Sequence, residues 1–364
     1  MSERFSSQGF NLARLFVAGF EGPRVPDEVA ALIRQGLGGV ILFSRNLPDL
    51  DSSLDLMEAL FSLAEGRPLV ISLDQEGGRV QRLGAPLIQL PAMGQLARLG
   101  DLSLCRDAGR QLGAELTALG FHHNLAPVLD VDSNPDNPVI GDRAFSGDPS
   151  TVIRFGLAFA EGLQDGGVAN CVKHFPGHGD THIDSHHDLP VLTHGMERLE
   201  AIELAPFRAA TSAARLPDAI LTAHVVVQAL DPLLPASLSK ATYSLLRQGM
   251  GYEGLVLTDD LEMAAVAKDP GVVEAACQAL CAGADGALIC HRPQLIEQAM
   301  ACLQDGLERG QVDAKALAAS VERWDRLAAR VQAGRRRPER ETLFALLRGK
   351  ERKNLEARLQ GHIS

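Results

Sequence analysis

The 364 residues carry 35 Lys and Arg against 46 Asp and Glu, and the resulting formal charge of -11 repels a phosphate backbone, which argues against a nucleic-acid partner. Hydrophobic residues make up 46% of the chain and glycines number 35, as suits a folded protein with a large core and many tight turns. Charges at Glu3, Arg4, Arg14 and Glu21 interrupt the first apolar stretch too soon for a signal peptide, and no later run is long enough to span a bilayer, so a cytoplasmic protein without a membrane partner is expected.

Short apolar runs ending in polar residues alternate with amphipathic stretches. In chain order they are LFVAG (15–19), GVILF (39–43), LVISLD (69–74), HNLAPVLD (123–130), ANCVKH (169–174), AILTAH (219–224), GLVLTD (254–259) and GALIC (286–290). The helical stretches between them have readable ends. From Asp101 to Leu119 the residues Leu102, Cys105, Leu112, Leu116 and Leu119 recur on one face, with Asp101 as cap and Gly120 as stop. Asp148 and Pro149 open the next helix, Val152, Phe155, Phe159 and Leu163 face inward, and Gly166 ends it. Near-continuous apolar strands alternating eight times with helices predict an α/β fold, a single (β/α)8 TIM barrel over residues 1–333, rather than an open doubly wound sheet.

Residues 334–364 change character. This basic tail reads as two helical pieces around Gly349 that lay Leu343, Phe344, Leu346 and Leu347 on the barrel; a protein or nucleic-acid contact is the alternative. The six cysteines, at 105, 171, 277, 281, 290 and 302, sit in apolar patterns without CxxC spacing and read as buried thiols of a reducing compartment.

In a barrel the loops after the C-terminal strand ends build the site, which makes Asp74, Lys173, His174, His224 and Asp259 candidates. The densest polar segment is KHFPGHGDTHIDSHHDLP (173–190). His174, His178 and His182 lie four apart, as in a helical metal site, but Pro176, Gly177 and Gly179 deny this segment a helix, and no metal is expected. His182, His187 and His194 read as solvated loop residues. The Asp184-Ser185-His186 unit reads differently: a carboxylate two residues from an imidazole can hold one ring nitrogen and leave the other to deliver a proton. In GLVLTDDLEM (254–263) adjacent side chains point to opposite faces, so one carboxylate of the Asp259-Asp260 pair faces the barrel axis. It is Asp259 if Leu255 and Leu257 point inward; Asp260 suits a helix N-cap.

DQEGGRVQR (74–82), RAFSGDP (143–149), the 173–190 segment, TAHVVVQALDPLLPASLS (222–239) and LRQGMGYEGLVLTDDLEM (246–263) together resemble glycoside hydrolase family 3, in its branch of short bacterial β-N-acetylhexosaminidases of peptidoglycan recycling. The resemblance runs from about residue 10 to 330 and departs from the family's Phe-Gly at Phe145-Ser146. It implies a single-domain barrel, hydrolysis with retention, and a covalent glycosyl-enzyme on the first Asp of the Asp-Asp pair, Asp259. It also implies a His-Asp acid/base, His186 with Asp184, where most retaining glycosidases use a second carboxylate. Sugar binding is implied for Asp74, Arg82, Arg143, Lys173 and His174. Arg82 could instead be a salt bridge holding Asp74, and Lys173 and His174 could stand behind the sugar contacts.

The expected substrate is a small molecule, N-acetylglucosamine β-1,4-linked to an anhydro-muramic unit in cytosolic muropeptides, cleaved by a monomer without a cofactor. Phosphorolysis, a β-glucosidase or xylosidase on the same scaffold, and a non-catalytic sugar-binding barrel are the alternatives.

Overall fold

The computed structural model describes residues 10–181, 189–332 and 337–363. Each of the eight apolar runs forms a strand, β5 and β7 running one residue past theirs: β1 Phe16–Ala18, β2 Gly39–Leu42, β3 Val70–Leu73, β4 His123–Asn124, β5 Ala169–Phe175, β6 Ala219–Thr222, β7 Leu255–Asp260 and β8 Gly286–Ile289. They close into a barrel in the order β1-β8-β7-β6-β5-β4-β3-β2, every neighbouring pair parallel. Parallel neighbours need a crossover rather than a hairpin. The crossovers contain α1 Asp27–Gln35, α2 Leu50–Ala64, α3 Leu102–Leu119, α4 Pro149–Asp165, α5 Ala205–Thr211, α6 Lys240–Ser244 and α7 Val272–Ala282, and α8 Gln294–Glu308 completes the eighth unit. The expected (β/α)8 barrel is the fold.

Local chemistry sets the helix ends. The Asp101 carboxylate accepts the Leu104 amide at 3.0 Å, and Gly120 ends α3 in a left-handed conformation. Asp148 accepts the amides of Ser150 and Thr151 ahead of Pro149, the first residue of α4. That helix does stop at Gly166, which keeps right-handed angles; the positive φ, 94°, falls on Gly167.

Inward-facing side chains of the strands, among them Val17, Val70, Cys171, Leu221, Leu255 and Leu257, fill the lumen. Trp324, Leu327, Ala328 and Val331 of α9 (Ala314–Gln332) belong to the same cluster. The Trp324 indole donates to the carbonyl of Asp285, which directly precedes β8, at 2.8 Å. One further helix thus plugs the end of the barrel where the strands begin, and the other end is left for chemistry.

The tail forms α10 Arg340–Arg348 and α11 Lys350–Ile363, both against α3. Leu343 is fully buried and Leu346 and Leu347 partly so, but Phe344, expected to pack, is 39% exposed. The contacts that replace it, Leu355 and Leu359, come from α11, where no apolar run marked them. The expected boundary at 333–334 lies outside the described residues. All six cysteines are free; Cys281 is exposed and Cys302 half-buried, against the expectation of burial. Among the described residues no helix is long and apolar enough to cross a membrane.

Candidate active site

The polar residues at the C-terminal strand ends surround a cavity of about 630 Å³. Asp74, Arg82, Arg143, Lys173, His174 and Asp259 all line it, so six of the eight site residues that the family resemblance implies come together. The other two, Asp184 and His186, lie outside the described residues, as do His182 and His187.

Strand parity places Asp259. Leu255 and Leu257 point into the lumen while Val256 packs outward against the helices, so Asp259 continues the inward set. Its Oδ1 accepts the amide of Asp260 at 2.8 Å. Burial works to raise the Asp259 carboxyl, but the imidazoles of His174 and His224, the Asp260 amide and Lys173 outweigh it and hold the group below the usual carboxylate range. It stands ionised at neutral pH, as a nucleophile requires.

Asp260 is not the helix cap expected of it. It ends β7, and its Oδ1 accepts the amides of Glu262 at 3.0 Å and Cys290 at 3.2 Å, tying the loop after β7 to the end of β8. Burial, with Glu262 and Asp259 nearby, pushes its carboxyl up to about 6 even though the Glu262 amide opposes the shift.

Opposite Asp259, the DQEGGRVQR segment folds as a small hairpin, Gln75–Gly77 against Val80–Gln81. Gln75 pins it: its side chain accepts the amides of Arg82 and Leu83 and donates to the Leu83 carbonyl, while Asn124 at the end of β4 brackets its backbone. This turns Asp74, Glu76 and Arg82 toward the cavity. Lys173, inward on β5 with Cys171, places its ammonium 2.7 Å from both Asp74 Oδ1 and Glu76 Oε1. Arg82 meets Asp74 Oδ2 at 3.0 Å, so the salt bridge weighed against sugar binding is present. Arg143 grips Glu76 with two hydrogen bonds, 2.9 and 2.8 Å.

Burial alone would raise Asp74 and Glu76, but Lys173 with Arg82 holds Asp74 below its ordinary value, and Arg143 with Lys173 holds Glu76 well below its own. Burial alone would likewise lower Lys173, and its two carboxylates raise it instead. Three carboxylates (Asp74, Glu76, Asp259) face three cations (Lys173, Arg82, Arg143), so the site is densely charged yet balanced.

A second layer orients the histidines. Asp130, fully buried after β4, takes the His174 ring at 2.6 Å and the His178 amide at 2.7 Å. The Asn137 amide donates to the carbonyls of His178 and Gly179 while its oxygen accepts the amides of Val139 and Ile140, which lashes the loop carrying Arg143 to the loop after β5. The segment 176–181 is not helical, as Pro176, Gly177 and Gly179 require. A Cβ on Gly179 would lie 1.7 Å from the Val131 carbonyl, and Gly177 adopts φ 126° against Glu203. Burial, then His174, pushes His178 down to about 4, so it is neutral at pH 7. His224 is fixed between the Ser237 hydroxyl at 2.7 Å and the Asp260 carbonyl at 2.9 Å.

Residues 12–327 match the Glycosyl hydrolase family 3 N terminal domain. The chain belongs to glycosyl hydrolase family 3. A curated relative, a β-hexosaminidase of Alkalilimnicola ehrlichii, is 40% identical over 295 residues, 79% of this chain and 83% of that one. Among solved structures, a family 3 β-N-acetylglucosaminidase of Paenibacillus superposes with a TM-score of 0.88 at 40% identity, over 96% of this chain and 68% of that one. NagZ of Neisseria gonorrhoeae, determined with N-trifluoroacetyl-D-glucosamine, gives 0.79 at 31% identity over 96% and 98%. The protein is a glycoside hydrolase of the β-hexosaminidase type.

Sequence reasoning missed two residues of this charged network. Glu76, 2% exposed, joins Arg143 to Lys173; it stands two positions after Asp74 in the first motif, and alternation alone would have turned both the same way. Asp130 ends the fourth apolar run, the position where the strand-end rule looks for function. His194, read as solvated, is instead paired with Asp180. The small change at Ser146 is absorbed locally, its hydroxyl accepting the Asp148 amide at 3.1 Å.

Proposed function

We propose that the protein is a retaining exo-β-N-acetylglucosaminidase that removes terminal N-acetylglucosamine from cytosolic peptidoglycan fragments through a covalent intermediate on Asp259. The observation that carries this reading is the ionised Asp259 carboxylate facing a cavity whose opposite wall is a charged rim of Asp74, Glu76, Arg82, Arg143 and Lys173. A carboxylate accepts from two hydroxyls and the cations donate to ring and acetamido oxygens, which suits a monosaccharide. The name of the Paenibacillus relative points to the same sugar, and that of the Alkalilimnicola relative to a hexosamine.

In this reading His186, held by Asp184, protonates the leaving oxygen as Asp259 attacks C1 from the opposite face. Water then releases the sugar with His186 as base. Asp74 and Glu76 cannot supply that proton, because their cation partners keep them ionised. Asp260 carries a second reading: its carboxyl, near 6, could act as an acid, though two backbone amides already occupy Oδ1. The leaving group separates the two. An aryl glycoside with a strongly acidic phenol needs little protonation, so His186→Ala is expected to slow glycosylation of a poor leaving group at least about a hundredfold more than that of an activated one. Equal damage to both substrates, with Asp260→Asn showing the selective loss instead, would move the role to Asp260.

Substrate class is tested by comparing aryl N-acetylglucosaminide with aryl glucoside at equal leaving group, in phosphate buffer with product analysis. Faster release from the N-acetylated substrate, giving free sugar, is expected. Preference for the glucoside, or a sugar phosphate as product, would replace this reading by a β-glucosidase or a phosphorylase. Binding without turnover would leave only a sugar-binding barrel.

A further inference from the structure

Beyond β5, three side chains of ligand type converge outside the cavity. Asp180, His194 and Glu203 each offer one atom within 4.8 Å of the others. His194 Nε2 is hydrogen-bonded to Asp180 Oδ2. Arg198 reaches the same place, its Nη2 3.4 Å from Asp180 Oδ2 and 3.1 Å from Glu203 Oε1.

The pairing is incomplete. The Glu203 side chain is 1% exposed, yet its Oε2 is buried with no hydrogen-bond partner among the described residues, and so is Arg198 Nε. A carboxylate oxygen that deep calls for a donor or a cation. With His194 neutral, as a metal ligand must be, two carboxylates beside one guanidinium leave the cluster one charge from balance, and a dication in place of the guanidinium would close it.

We propose that Asp180, His194 and Glu203 form a divalent-cation site of zinc chemistry, with Arg198 occupying the position of the ion's charge when the metal is absent. One imidazole and two carboxylates, with a fourth position for water, is a donor set that zinc accepts. Ligand atoms in such sites stand roughly 2.0–2.2 Å from the ion, so a trio already within 4.8 Å needs to draw in by on the order of 1 Å. The group that must leave is the easiest to move: the Arg198 side chain is 38% exposed and can turn into solvent, whereas Glu203 is fixed under Gly177. A bound ion would join Asp180 to His194 and Glu203, and so tie together the two stretches of chain that flank residues 182–188.

The test is titration of the metal-free full-length chain with zinc chloride, read by calorimetry and by the melting temperature. One zinc that raises Tm is expected for the wild type, with at least tenfold weaker binding and no such rise for His194→Ala and Glu203→Gln. Arg198→Met is expected to melt lower without metal, to bind zinc several-fold more tightly, and to recover its Tm when zinc is added. Unchanged zinc binding in both ligand variants would assign the ion to other histidines and overturn the proposal. So would no uptake by the wild type and by Arg198→Met, which would leave an arginine-centred ion pair. If the ligand variants do not fold, the comparison of wild type with Arg198→Met decides alone.

Discussion

Asp259→Ala is expected to lower kcat by roughly ten-thousand-fold or more while the barrel stays folded, because in the proposed mechanism its carboxylate, held in line, replaces a bimolecular encounter and deleting it forfeits that effective concentration. The fold should survive, since among the described residues the side chain accepts only the local hydrogen bond from the Asp260 amide, and its loss leaves a small polar gap at the open end of the barrel. The space vacated would admit a small anion, so azide should restore turnover of an activated aryl substrate and give the azide of the opposite anomer. Mass spectrometry of the wild type with a slow fluorinated sugar should tag the peptide containing Asp259. A tag elsewhere, or a variant as fast as wild type, would remove Asp259 from the mechanism.

The second large effect is on stability. Glu76→Ala strips the partner from Arg143 and one of two partners from Lys173 in a site where both cations are nearly enclosed. Leaving buried charge uncompensated costs about 3–5 kcal/mol, against 0–1 for an exposed pair. Urea unfolding at pH 7 should show a loss of that order, and loosening of Arg143 and Lys173 should lower kcat/KM by roughly a hundredfold. Glu76→Gln keeps the shape but turns an amide donor toward the cations, so it should fall between the two.

The sign with pH follows from the depressed carboxyl. A group whose folded-state value lies below its ordinary 4.5 contributes stability above that pH and loses it as the pH falls further. The gap between wild type and Glu76→Gln should therefore be widest near neutrality and narrow below about pH 4.5. A gap that stayed constant with pH, or equal urea midpoints at pH 7, would mean that the Arg143–Glu76–Lys173 cluster is not held together by charge.

What the amino-acid sequence determined by itself was whatever neighbours along the chain enforce. Eight apolar runs became eight strands, and the Asp101 and Asp148 caps began their helices, because each depends on residues only a few positions apart. The candidate residues at strand ends were legible for the same reason: alternation sets which way Lys173 and Asp259 turn, and the barrel rule sets which end matters. Tertiary structure alone decided the partners. Glu76 meets Arg143 across 67 positions and Asp74 meets Lys173 across 99, contacts that exist only after the barrel closes. Asp260, His194 and Phe344 were misread because their roles as loop tie, ion-pair partner and exposed ring depend on what packs beside them, and no local pattern carries that information.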